Sequence, residues 1–129
     1  MFQEETMAKG RVLIIDDDKD IIETTGALLE YEGFEVYHSE SVEEGVDMIG
    51  VTSPDIILLD IMFPEKKTRG FEAAAEIKES YPNIPIIAYT AINREYAFDF
   101  AKEDIKAEEF INKPVDTDRL IDLINKHVR

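Results

Sequence analysis

Apolar runs and amphipathic stretches alternate along almost the whole chain. Arg11–Ile15 (RVLII) is a short apolar run that stops at three aspartates, Asp16, Asp17 and Asp18. From Asp20 to Glu32, Ile21, Ile22, Thr25, Leu28 and Leu29 recur at helical spacing, and Gly33 is a natural helix stop. Phe34–His38 (FEVYH) alternates as a strand does. Ser41 followed by Glu44 is the signature of a capping box, and Val42, Val46 and Ile49 mark the helix that it opens. Asp55–Leu59 (DIILL) reads as a buried strand ending at Asp60.

The second half repeats the rhythm. Phe71, Ala74, Ile77 and Tyr81 form a helical stripe closed off by Pro82. Ile84–Tyr89 (IPIIAY) is apolar and ends at Thr90. Asn93 is placed to cap a helix carrying Tyr96, Ala97, Phe100 and Ala101. Glu109–Ile111 reads as a short strand before Asn112, Lys113 and Pro114. Asp116 or Thr117 then caps a last helix with Leu120, Ile121, Ile124 and Val128.

Five strands alternating with five helices predict an α/β fold. Near-continuous apolar strands need helices on both faces, so the sheet is parallel. The pattern fits a doubly wound, five-stranded, flavodoxin-like (βα)5 sheet of order 2-1-3-4-5. Ligands of such sheets sit at the carboxyl ends of the strands. Strand one ends in Asp16, Asp17 and Asp18, strand three in Asp60, strand four in Thr90, and strand five near Lys113. Strands one and three are neighbours in that order, so their carboxylates converge. Clustered carboxylates repel one another, and a divalent cation relieves the repulsion. Oxygen ligands with positions left for water suit Mg2+. Lys113 and the Thr90 hydroxyl add a cation and a donor for an oxyanion beside the metal. Asp60 can itself be the nucleophile, giving an aspartyl phosphate.

Other polar residues read more plainly. Asp18 and Asp20 are expected as turn formers or caps. His38 and His127 read as ordinary surface residues, Tyr31, Tyr81 and Phe71 as packing, and Glu43–Glu44 and Glu108–Glu109 as solvated faces.

Charge and composition narrow the function. Acidic residues number 29 and basic ones 14, a formal charge of −15, which argues against direct nucleic-acid binding. Without cysteine the chain has no disulfides, thiolate metal sites or cysteine nucleophile. No apolar run approaches the roughly 18 residues of a membrane span. Residues 1–10 (MFQEETMAKG) are a short polar leader without the apolar stretch of a signal peptide. The expectation is a cytoplasmic protein with one domain over residues 11–129.

The stretches VLIIDDDKDI, SPDIILLDIMFPE, GFEAAAEIK, PIIAYTA and EEFINKPV resemble the receiver domain of two-component response regulators over about residues 11–128. The resemblance implies a signalling switch that takes a phosphoryl group from a histidine kinase phosphohistidine, or from a phosphotransfer protein, and signals to a downstream protein. By the same resemblance Asp60 is the phosphoacceptor. Asp17 ligates Mg2+ directly, Asp16 mostly through water, and the Met62 backbone carbonyl completes the set. Thr90 and Lys113 bind the phosphoryl group, Lys113–Pro114 is a cis peptide, and Phe110 is the switch aromatic coupled to Thr90. The switch catalyses its own phosphorylation and dephosphorylation, with Met62 and Ile92 flanking the path of the hydrolytic water and lengthening the phosphorylated lifetime. The face of the fourth predicted helix, fifth strand and last helix, with Phe98, would serve a partner or a second copy of the chain.

The sequence departs from the family pattern in places. The loop from Asp60 to Gly70 is about two residues longer than is usual in the family and carries Lys66, Lys67 and Arg69, which marks Glu65–Arg69 as a candidate specificity element. Lys106 stands where the family usually has glycine. Either a stand-alone regulator or a piece of a longer protein fits. A haloacid-dehalogenase-like phosphatase would need an acid at Met62, and a flavin carrier would need a hydroxyl- and glycine-rich loop where DDDKD stands. A degenerate receiver used only for binding would not need Asp17, Asp60, Thr90 and Lys113 together.

Overall fold

The apolar runs become five parallel strands ordered β2-β1-β3-β4-β5 in a computed structural model, which describes residues 8–61, 69–90, 106–113 and 116–128. The strands are β1 (Arg11–Ile15), β2 (Glu35–Ser39), β3 (Ile56–Asp60), β4 (Ile86–Thr90) and β5 (Glu109–Asn112). The helices among the described residues are α1 (Lys19–Tyr31), α2 (Val42–Thr52), α3 (Arg69–Ser80) and α4 (Thr117–His127). The helix expected after Asn93 falls outside the described residues.

Alternate strand residues feed two cores. Leu13, Ile15, Ile57, Leu59, Ile86 and Ala88 pack with Ile49 of α2 and Ile77 of α3. Val12, Ile14, Leu58 and Ile87 pack with Leu29 of α1 and Leu120 and Ile124 of α4. Helices therefore cover both faces, as the apolar strands require.

Strand boundaries move by one or two residues from the expected ones. β2 starts after Phe34, and β3 includes Asp60. β4 begins at Ile86 because Pro85 has no N–H and the Ile84 carbonyl accepts from Lys78 Nζ at 2.9 Å. The Glu108 carboxylate takes the Ile86 N–H at 2.7 Å and Lys78 Nζ at 2.7 Å, so it joins α3, β4 and the start of β5.

The caps follow the sequence closely. Asp18 Oδ1 accepts from the Asp20 and Ile21 N–H groups at 2.9 and 3.3 Å, and Gly33 leaves α1 with φ at 104°. Of the two candidates, Asp116 caps α4, through Arg119 N–H. Ser41 caps α2 by accepting the Glu44 N–H at 3.2 Å. The reciprocal arm of the box is redirected. The Ser41 N–H donates to Ser39 Oγ at 3.1 Å, and the Glu44 carboxylate lies 3.2 Å from that same hydroxyl.

Two plain readings change here. Tyr31 does not pack: it is 87% exposed, because α1 buries Ile22, Gly26 and Leu29, and Tyr31 is out of phase with that line. Ile21, Thr25 and Leu28 instead flank an apolar groove between α1 and α4, opposite Thr117 and Leu120. Glu108 is exposed and Glu109 half-buried, and both are paired rather than merely solvated.

Glu109 accepts from Lys126 Nζ at 3.0 Å and lies 2.8 Å from His127 Nε2. His127 is thus a tether between α4 and β5, with its side chain mostly covered. The His127 bond, followed by Lys126, holds the Glu109 carboxyl below the usual carboxylate range. The folded state therefore gives up this proton more readily than the unfolded chain. The stabilisation is complete above the unfolded pKa of about 4.3 and is lost as pH falls through the lowered folded value. Urea titrations should find wild type more stable than Glu109→Gln near about pH 6, with the gap closing towards about pH 3. A gap of the same size at both pH values would refute the link.

Candidate functional site

Pleat parity decides which side chains meet at the carboxyl edge of the sheet. Val12 and Ile14 face the α1/α4 core, and Asp16 continues that series. Ile56 and Leu58 lead in the same way to Asp60, Ile87 leads to Tyr89, and Ile111 to Lys113. Two ladder bonds extend past the strands here: Asp16 N–H donates to Ser39 O at 3.0 Å, and Ile61 N–H to Tyr89 O at 3.2 Å. Asp60 and Tyr89 are register partners across β3 and β4.

The result is a buried acidic cluster. Asp16 is fully buried and Asp60 is 3% exposed, while Asp17 is half-buried. One carboxylate oxygen from each lies within 4.8 Å of the others. Lys113 Nζ is 3.2 Å from Asp16 Oδ2 and 3.6 Å from Asp60 Oδ2. Three carboxylates against one ammonium leave the site two charges negative. All the converging acid ligands are hard oxygen donors, and such a set fits a hard divalent cation.

Asp16 is held on both oxygens. Oδ1 accepts the Asp18 N–H at 2.8 Å, and Oδ2 accepts the Tyr89 hydroxyl at 2.7 Å beside Lys113. Lys113 Nζ also sits 4.8 Å from the centre of the Tyr89 ring. Burial, and then the charge of Asp16, push the Tyr89 phenol well above its ordinary value, so the hydroxyl remains a donor. Sequence reasoning missed Tyr89 as a member of this site. The available signal was a phenol at a buried strand position, where a hydroxyl needs a partner.

The expected residues are distributed as follows. Asp16, Asp17, Asp60 and Lys113 come together. Thr90 closes β4, but its side chain lies outside the described residues, as do Met62, Lys66, Lys67, Ile92, Phe98 and Pro114. Phe110 is half-buried against the α2/α3 core. Arg69 is not a loop charge. It opens α3 and reaches Glu43 of α2 at 2.8 Å, Glu72 at 3.6 Å and Glu76 at 3.8 Å. The basic element Glu65–Arg69 therefore loses Arg69 to a helix–helix tie, and Glu43 is paired rather than simply solvated.

A family model described as the response regulator receiver domain matches residues 12–125. The chain belongs to that family. The receiver shares 29% identity and a TM-score of 0.77 with a CheY-like response regulator receiver domain protein from Methanospirillum hungatei JF-1, over 90% of each chain. It shares 31% identity and a TM-score of 0.76 with the signal receiver domain of a modulated diguanylate cyclase from Desulfovibrio desulfuricans G20, over 92% of each. NtrX from Brucella abortus, solved with ADP, matches at 26% identity and a TM-score of 0.80 over 94% of this chain. The receiver spans only 27% of that NtrX chain. The family and the CheY-like neighbour make the matched unit a phosphoryl-accepting receiver of the response-regulator kind. Among the described residues no helix is long and apolar enough to cross a membrane.

Proposed function

We propose that this receiver accepts its phosphoryl group on Asp60, with Asp16, Asp17 and the Met62 carbonyl holding Mg2+ and with Thr90 and Lys113 binding the phosphoryl oxygens. The observation that carries the reading is the convergence of Asp16, Asp17 and Asp60 within 4.8 Å, with Lys113 in reach of both Asp16 and Asp60. An oxygen of Asp60 attacks the phosphorus of a phosphohistidine. The P–O bond forms as the P–N bond breaks, and the electron pair leaves on the imidazole nitrogen. Lys113 meets the charge gathering on the phosphoryl oxygens, and burial of Asp60 keeps that attraction strong. Mg2+, when bound, supplies further charge compensation.

In this reading the receiver is a switch that catalyses its own phosphorylation and dephosphorylation rather than an enzyme acting on other substrates. Thr90 and Phe110 transmit the change, and Met62 and Ile92 slow hydrolysis. The receiver unit is residues 11–129 behind the leader 1–10, placed in the cytoplasm. It signals to a downstream protein, or to a second copy through the face of the fourth predicted helix, β5 and α4. It contacts neither nucleic acid nor membrane directly, in keeping with a charge of −15. Mass spectrometry after exposure to acetyl phosphate is the test. Wild type should gain one phosphoryl group with Mg2+ and none with EDTA, and Asp60→Asn should gain none in either. Labelling of Asp60→Asn at the wild-type rate would place the acceptor elsewhere.

A further inference from the structure

We propose that Tyr89 is a positioning residue of the phosphorylation site: its hydroxyl keeps the buried Asp16 carboxylate paired and so releases Lys113 to follow the phosphoryl group. The inference rests on Asp60 being the phosphoacceptor. Its starting point is that Asp16 Oδ2 has two donors, Tyr89 Oη at 2.7 Å and Lys113 Nζ at 3.2 Å. Lys113 is shared, because Asp60 Oδ2 is only 3.6 Å from the same ammonium. Tyr89 is fixed. Its ring is buried in the α1/α4 core, and the backbone on either side is paired into β3 and β5.

Phosphorylation turns the singly charged Asp60 carboxylate into an acyl phosphate carrying about two negative charges, a net gain of about one beside Lys113, spread over oxygens that reach further towards it. The ammonium is then pulled from Asp16 towards Asp60. Asp16 is fully buried, so a protein donor already in place is its ready replacement. A buried carboxylate that loses its cation without another donor is strongly disfavoured. With Tyr89 in place, Oδ2 keeps a short hydrogen bond, and Oδ1 keeps the Asp18 N–H at 2.8 Å. The move of Lys113 therefore leaves no bare buried oxygen. With phenylalanine at this position, Asp16 would have Lys113 alone on Oδ2 and would retain it in competition with the phosphoryl group. Phenylalanine also keeps the ring over which Lys113 lies, so the substitution isolates the hydroxyl.

Two measurements test this. In the first, beryllofluoride is titrated as a phosphoryl mimic at saturating Mg2+ and followed by backbone amide NMR shifts. Tyr89→Phe should weaken beryllofluoride binding about tenfold, the size of one hydrogen bond to a charged group. Equal affinity in wild type and Tyr89→Phe would overturn the inference. A wild type that bound no beryllofluoride would instead overturn the phosphoacceptor reading, and this inference with it. The second measurement needs no phosphoryl chemistry. Urea midpoints are taken in EDTA for Tyr89→Phe, Lys113→Met and the double variant. Each single change leaves Asp16 Oδ2 one donor, whereas the double change leaves it none. The midpoint loss of the double variant should exceed the sum of the single losses. Additive losses would mean that the two side chains do not share the task of pairing Asp16, and the inference would fail.

Discussion

Asp60→Asn is expected to make the metal-free protein about 2 kcal/mol more stable while abolishing phosphoryl uptake. The carboxylates of Asp16, Asp17 and Asp60 converge within 4.8 Å, and Lys113 lies 3.6 Å from Asp60. At an effective dielectric constant of about 20, each carboxylate pair at that separation repels by about 3–4 kcal/mol, and the lysine attracts Asp60 by about 4–5 kcal/mol. Among the described acids and Lys113, removing the Asp60 charge removes two repulsions and one attraction, and that balance favours the variant. Asparagine keeps the shape of the side chain, so packing is little changed. Urea unfolding in EDTA provides the measurement. Added Mg2+ should narrow the difference, because a ligand at about 100 times its Kd stabilises the wild type by about 2.7 kcal/mol and an impaired site gains less. A variant less stable than wild type in EDTA would mean that Lys113 more than offsets the clustered acids. The site is thus a place where the receiver holds charge that its folding does not favour, which is the usual mark of a functional constellation.

Much of this site was legible because the strands are simple. β1, β3 and β4 are apolar runs buried along nearly their whole length, so their ends are visible where a polar residue follows, and the parallel order puts the strand ends along one edge. Asp16, Asp17, Asp60 and Lys113 could be found in that way. Side-chain partners across the sheet were less accessible. Tyr89 reads as one more apolar strand residue until the register places it beside Asp60 and its hydroxyl against Asp16. Glu108 reads as solvated until Lys78 and the Ile86 N–H are brought to it from positions about 20 to 30 residues away in sequence, a tertiary contact that no local pattern encodes. Helix faces were legible only in part. The periodicity of α1 admits two neighbouring stripes, and the one that packs fully on the sheet runs through Ile22, Gly26 and Leu29. That choice buries Ile22 and Leu29 and leaves Tyr31 outside.

Gly70→Ala is expected to destabilise the receiver by about 3 kcal/mol and to weaken divalent-cation binding with it. Gly70 is buried in the first turn of α3, where the helix crosses the backbone just beyond Asp60. A Cβ added there would lie 2.6 Å from the Ile61 carbonyl carbon and closer still to its oxygen. The obstacle is backbone, so no side-chain rotation relieves it. Ile61 cannot retreat easily either. Its side chain is fully buried, and its N–H is bonded to Tyr89 O at 3.2 Å as the last rung between β3 and β4. On the other side, α3 is tied to α2 through Arg69 and Glu43 at 2.8 Å and is packed into the core by Ala73, Ala74 and Ile77. Either the helix start or the end of β3 must give way. Overpacking of this kind costs about 1–3 kcal/mol where side chains can adjust, and two fixed backbones place this site at the upper limit. For a domain of this size the melting temperature should fall by about 10 °C. Displacement at Ile61 moves the neighbouring Asp60 carboxylate relative to Asp16 and Asp17, so Mg2+ affinity measured by calorimetry should fall about tenfold, a change of about 1.4 kcal/mol. Gly70→Ala with wild-type melting temperature and wild-type Mg2+ affinity would show that the close approach of α3 to β3 neither limits stability nor sets the geometry of the acidic site.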